Sequence, residues 1–476
     1  MFSMPWFPRC AAIAAACLLT LGHAASPAPS AALEVGFGET DITPSLESGR
    51  PVWLAGYGMG RRATGVHDPL RARAVVLRDG DQKIALACVD LIGLQYPAVK
   101  RIRESLAGYR YVMVSSTHNH EGPDVIGIWG ASPFQCGVDE QYVELVVKRV
   151  VEAVQAAESQ LKPAEAVFGT ADDETLVGDS RLPKVKDSVI RVLKFQPPGG
   201  GAVLGLLVQY SSHPEAMGRA NTLVTADFVD ATVARLKQRY NCPVAYFSGA
   251  VGGLMAPPDG RIQSPEGKVL EEGDFAYCIG YGESVADLAS QAIDAARPIR
   301  LTPFAHDARR VALPMENKIY RAARSIGVLK RAAWVWTGDP ESFGAPESAG
   351  DASKPLAVES EVACLKLGEL SVACIPGEIY PELVYGKFQE PVEPHVDFPD
   401  APLEPSVEKL VPTDRWLVMG LANDELGYII PKRQWDEAAP YAYGRTKSQY
   451  GEINSCGPNI APLIMKTFAR CCEALR

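Results

Sequence analysis

Short, uninterrupted apolar runs recur along the chain and alternate with stretches whose apolar residues return every third or fourth position. The runs at 72–77, 84–89, 111–116, 189–195, 203–210, 244–248, 362–367, 370–375 and 416–421 are rich in β-branched residues and largely free of polar ones. That is the pattern of strands covered on both faces. Helical periodicity marks 98–106, 141–157, 228–238, 284–296 and 463–475; in 141–157, Val143, Val146, Val147, Val150, Val151 and Val154 keep to one stripe. Alternation of the two patterns predicts an α/β protein, mixed β-sheets flanked by helices, built as one large domain over 33–476. Two decorations interrupt it, near 305–360 and 390–412. The first holds a basic amphipathic segment (318–336) and a Gly/Pro/Ser/Asp-rich loop (338–355); the second is acidic and proline-rich, hence an extended loop.

The amino terminus stands apart from this pattern. Arg9 precedes an apolar run over 10–21, and Gly22-His23-Ala24 then supplies small residues where a signal peptidase cuts. Residues 1–24 therefore read as a secretory signal and the protein as exported, periplasmic or secreted, with no further run long enough for a transmembrane segment. With 47 basic and 57 acidic side chains the net charge is −10, which argues against nucleic acid as a partner. Of eleven cysteines, Cys10 and Cys17 leave with the signal, and no C-x-x-C occurs. The remaining nine read mainly as small core residues, with a Cys364–Cys374 bridge across a hairpin left open.

Polar residues cluster where the apolar runs stop. The run 111–116 passes directly into Thr117-His118-Asn119-His120-Glu121-Gly122-Pro123-Asp124; 203–210 ends in Ser211-Ser212-His213; 370–375 turns through Pro376-Gly377 to Glu378. Taken singly, the histidines fit an exposed turn and Glu378 fits the first turn of a helix over 379–388. Together, at strand ends where α/β folds place their sites, two imidazoles and a carboxylate form a donor set suited to catalytic zinc. If the backbone stays extended, His118 and His120 point the same way. Asp90, Asp124 and Asp227 are candidates to hold the ligand histidines.

These segments, together with GFGETDITP (36–44), GVHDPLRARAVVL (65–77), GDSRLP (178–183), FSGAVGG (247–253) and LANDELGYI (421–429), resemble the amino-terminal catalytic domain of the neutral/alkaline, non-lysosomal ceramidase family. The resemblance implies zinc held by His118, His213, Glu378 and Tyr428. His120 then lies beside the metal, suited to proton transfer, Arg181 near the substrate head group, and Tyr441 in the same pocket. It also implies hydrolysis of an amide, ceramide-like or N-acyl, with zinc-activated water, on a small-molecule or lipid-like acyl-amide substrate. One motif departs. Where the family reads roughly G-D-x-S-P, this chain has Gly252-Gly253-Leu254-Met255-Ala256-Pro257, with neither the acid nor the proposed serine nucleophile. An esterase at the same site, or a non-catalytic binding protein that keeps the metal, are the competing expectations.

Overall fold

The apolar runs pair into three large sheets in the computed structural model, which describes residues 1–6, 33–264, 266–347 and 354–476. The expected signal segment falls mostly within 7–32, outside the described residues. The first sheet orders its strands Tyr111–Ser116, Gln82–Val89, Arg71–Asp79, Glu34–Asp41 and Lys162–Pro163. The second orders Val244–Ser248, Gly205–Tyr210, Val189–Gln196, Glu165–Asp172 and Arg297–Ile299. The third runs Phe343–Glu347, Ala333–Trp336, Leu356–Leu367, Leu370–Cys374 and Arg415–Met419, with Phe304–Pro314 also paired to Leu356–Leu367. Each sheet is mixed, and each contains one parallel pair: Gln82–Val89 with Tyr111–Ser116, Gly205–Tyr210 with Val244–Ser248, and Leu370–Cys374 with Arg415–Met419.

The lack of polar positions in these strands has a direct cause. Val75 and Leu77 face a core shared by all three sheets, where they meet Leu207, Phe247, Leu365 and Leu417. Ala74 and Val76, one step away on the pleat, face the helix Glu140–Ser159 instead. Helices Phe228–Tyr240 and Phe275–Ala295 cover the second sheet, and Ile460–Glu473 covers the third. Close approach needs small residues: a Cβ on Gly36 or Gly38 would lie 1.9 Å from the Ala157 carbonyl oxygen or 2.1 Å from that of Ala153.

Two sequence expectations change. The segment over 305–360 is not a surface addition, because Phe304–Pro314, Ala333–Trp336 and Phe343–Glu347 are strands of the third sheet; the last lies inside the expected loop. The Cys364–Cys374 bridge is absent. Cys364 pairs with Ala373 and Cys374 with Ala363, so the two thiols point to opposite faces, and all nine cysteines described are free. The 390–405 stretch has no regular element, as its prolines predict.

The parallel strands bring their carboxyl ends to one junction. Ser248 Oγ donates to Thr117 O at 2.7 Å, Ser115 Oγ to Gly420 O at 3.1 Å, and Gly420 N to Ser248 O at 3.1 Å, so each bond joins two different sheets. A Cβ at Gly420 would sit 2.2 Å from Gly249 O. Gly420→Ala is therefore expected to destabilise the fold by about 3 kcal/mol, read as a lowered urea midpoint at unchanged slope.

Candidate metal centre

Just beyond that junction the chain leaves regular geometry. Five non-glycine residues at the strand ends (His118, Asp227, Leu254, Leu421 and Asn423) have φ between 47° and 67°. Backbone of this kind costs free energy and persists where the surroundings impose it, commonly at functional sites. The expectation of extended backbone fails at His118, where φ is 67°. The imidazoles converge all the same, with ring centroids 5.0 Å apart for His118 and His120, 4.8 Å for His118 and His213, and 5.5 Å for His120 and His213. All three rings are buried, and one nitrogen from each lies within 4.8 Å of the others, a cluster able to hold a metal ion.

Glu378 closes the group. Its Oε2 is 3.3 Å from His118 Nε2 and 3.1 Å from His213 Nε2. His118 Nδ1 lies 2.6 Å from Ile92 O and His213 Nδ1 2.6 Å from Met255 O. A carbonyl only accepts, so each Nδ1 carries a proton and each Nε2 is turned to Glu378. Two Nε2 atoms and a carboxylate oxygen thus face one another, an arrangement that a shared proton or a metal ion satisfies. Burial alone pushes the His118 imidazolium down, yet Glu378 outweighs it and holds the group up at about 9. Burial raises the Glu378 carboxyl, but His118 and His213 hold it well below the usual range. His120 goes the other way: burial and the two neighbouring histidines keep it neutral, and neither ring nitrogen has a hydrogen-bond partner. Its Nδ1 is 3.5 Å from Glu215 Oε2, and a Cβ on Gly56 would strike its Cγ at 2.4 Å. These donors fit a divalent cation.

Tyr428 joins the group through the backbone, as the parallel bridge partner of Glu378. Burial, then the Glu378 charge, lift its phenol well above the ordinary value. His118, His120, Glu378 and Tyr428 line a cavity whose other walls include Ile92, Ile126, Trp129, Leu329 and Leu426. The basic amphipathic segment supplies Tyr320, Leu329 and Arg331 to that wall, so it builds the site.

Arg181 and Tyr441 lie outside the wall. Arg181 is buried, with NH1 and NH2 bound to both Glu452 oxygens at 2.9 and 2.6 Å and to the carbonyls of Tyr450 and Gln434. Its guanidinium also lies over the Tyr380 ring, which meets Tyr428 edge-on at 6.2 Å. Tyr441 is half-buried and precedes the turn Ala442–Gly444. The aspartates expected to hold the ligand histidines do other work. Asp90 pairs with Arg73, Asp124 accepts from the amides of Ile126, Gly127 and Trp129, and Asp227 caps Phe228–Tyr240 and binds the amides of Ala216 and Met217. Main-chain carbonyls take their place, which no side-chain motif announces. Glu425 also went unassigned, although it follows a strand run in the same way as the expected ligands. It lines the cavity, and burial together with the Glu378 charge pushes its carboxyl up to about 8.

A family model described as "Neutral/alkaline non-lysosomal ceramidase, N-terminal" matches residues 33–243. The neutral ceramidase of Mycobacterium tuberculosis (strain ATCC 25618 / H37Rv) is 26% identical over 225 residues, covering 41% of this chain and 34% of that protein. The match thus spans about a third of the relative's length. The crystal structure of neutral ceramidase from Pseudomonas aeruginosa superposes with a TM-score of 0.70 at 16% identity, over 94% of this chain and 74% of that one. A ceramidase complexed with C2 gives 0.67 at 16% identity, over 94% and 75%. The α/β fold, mixed sheets with helices, is shared with these structures.

Proposed function

For a chain that resembles the amino-terminal domain of the neutral/alkaline non-lysosomal ceramidases, we propose a metal-dependent hydrolase that cleaves acyl amides. Zinc is the ion, held by His118, His213, Glu378 and Tyr428. The observation that carries this reading is the convergence of His118 Nε2 and His213 Nε2 on one Glu378 oxygen, at 3.3 and 3.1 Å, with both Nδ1 protons already committed to carbonyls. When bound, such an ion polarises a carbonyl and eases deprotonation of a water molecule.

The rest of the reaction belongs to the chain. Ile92, Ile126, Trp129, Leu329 and Leu426 give the acyl part an apolar wall. His120, neutral and without a partner at either nitrogen, takes a proton from the attacking water at Nε2 and returns it to the departing amine nitrogen. Water adds to the acyl carbon, the carbon–nitrogen bond breaks, and a carboxylic acid and an amine leave. No hydroxyl is required. The segment 252–257 carries no hydroxyl, and Ser248 Oγ is bound to Thr117 O. Arg181 acts by bracing Tyr380 and the 450–452 segment behind Tyr428. The amino-terminal pattern supports export, and no helix among the described residues is long and apolar enough to cross a membrane.

Chelation should remove acyl-amide hydrolysis and added zinc should restore it, followed with a panel of N-acyl amides alongside the corresponding esters and with metal analysis of the protein. Zinc bound with no turnover of any member would replace the hydrolase by a binding protein.

A further inference from the structure

The cavity contains a second carboxylate that the reaction above does not use. Glu425 is half-buried, and one of its oxygens, Oε1, accepts from Gly427 N at 2.7 Å. The other, Oε2, is buried without any partner. Space is reserved for this side chain, because a Cβ on Gly93 would meet Glu425 Cβ at 2.5 Å. Among the described residues lining the cavity, the basic groups are His118, His120 and Arg331; His118 is turned to Glu378, and Arg331 is committed elsewhere. Its NH1 and NH2 hold the two oxygens of Asp424, and NH2 also donates to Glu359 O at 2.6 Å. No hydrogen-bond donor among the described residues reaches Glu425 Oε2. A carboxylate oxygen left alone in an apolar cavity is costly, and a cation with N–H donors is what offsets that cost best.

We propose that Glu425 is a specificity residue that receives a cationic group on the amine-derived half of the substrate, while the acyl half lies along the apolar wall. This inference rests on the reading of the cavity as a substrate site, and it names the substrate class: N-acyl amides of amines bearing a second, positively charged nitrogen. Arg331, paired as it is, cannot serve an anionic head group there.

The test uses n-hexylguanidinium and its neutral isostere n-hexylurea, neither of which is a strong metal ligand, with zinc-loaded protein and calorimetry. The guanidinium is expected to bind at least about tenfold tighter than the urea. Glu425→Gln keeps an oxygen for the Gly427 amide and should fold; it should abolish the preference while leaving zinc content in place. Equal binding of the two probes to the native protein, or a preference that survives Glu425→Gln, overturns the proposal. Probe discrimination through Glu425 in a protein that hydrolyses no amide would uphold this cation site and overturn the hydrolase reading alone.

Discussion

Replacing His213 with alanine should release the metal and lower acyl-amide turnover at least about a thousandfold, since losing some 4 kcal/mol of transition-state stabilisation corresponds to that factor. His213 is the donor farthest from solvent contact, only 2% exposed and behind the ring of cavity-lining residues. Its Nδ1 is fixed by Met255 O, and its own amide donates to the same carbonyl at 2.8 Å, so its ring is held in one orientation. Without it, Glu378 keeps His118 alone as an imidazole within 3.3 Å. Metal analysis and turnover should fall together, whereas far-UV circular dichroism should stay native. Turnover retained in a metal-free His213→Ala protein would end the proposed mechanism.

The largest loss of stability is expected from Asp424→Ala. Asp424 is completely buried and holds both terminal nitrogens of the buried Arg331, and its Oδ1 also accepts from Tyr96 N at 3.0 Å and Glu425 N at 2.9 Å. Truncation strands a guanidinium in the interior, which costs about 3–5 kcal/mol. A pair in solvent behaves otherwise. Arg50 and Asp139 are 2.9 Å apart on the surface, and breaking them should cost under about 1 kcal/mol. Urea unfolding of both variants gives the comparison, and Asp424→Asn, which keeps an acceptor, should fall between them.

Much of the fold was legible because its strands are buried on both faces. The runs at 111–116 and 244–248 match the observed strands residue for residue, as polar residues enter only where the sheets stop. The same logic picked out His118, His213 and Glu378 as proposed ligands, since they are polar residues at the ends of such runs. Tyr428 was not legible from composition. Its place beside Glu378 depends on a two-residue bridge that no periodicity encodes, and its proposal as a ligand came from the family resemblance. The helix over 318–325 was read as surface decoration because its sequence is basic; the structure turns Tyr320 inward and leaves Ile319 outside. The aspartates misled for a different reason. A buried acid near a histidine looks like its partner, but each had a closer obligation to an arginine or to main-chain amides.

The proposed donors lie beyond strands of three sheets, and Glu378 and Tyr428 are reached only after most of the chain has been read. A half-synthesised or truncated polypeptide therefore owns isolated histidines and no coordination sphere. Closing loops of that length carries an entropic toll that tertiary packing, rather than the ion, must meet first. A cation taken up by this site would accordingly be a late arrival, captured only by the finished fold.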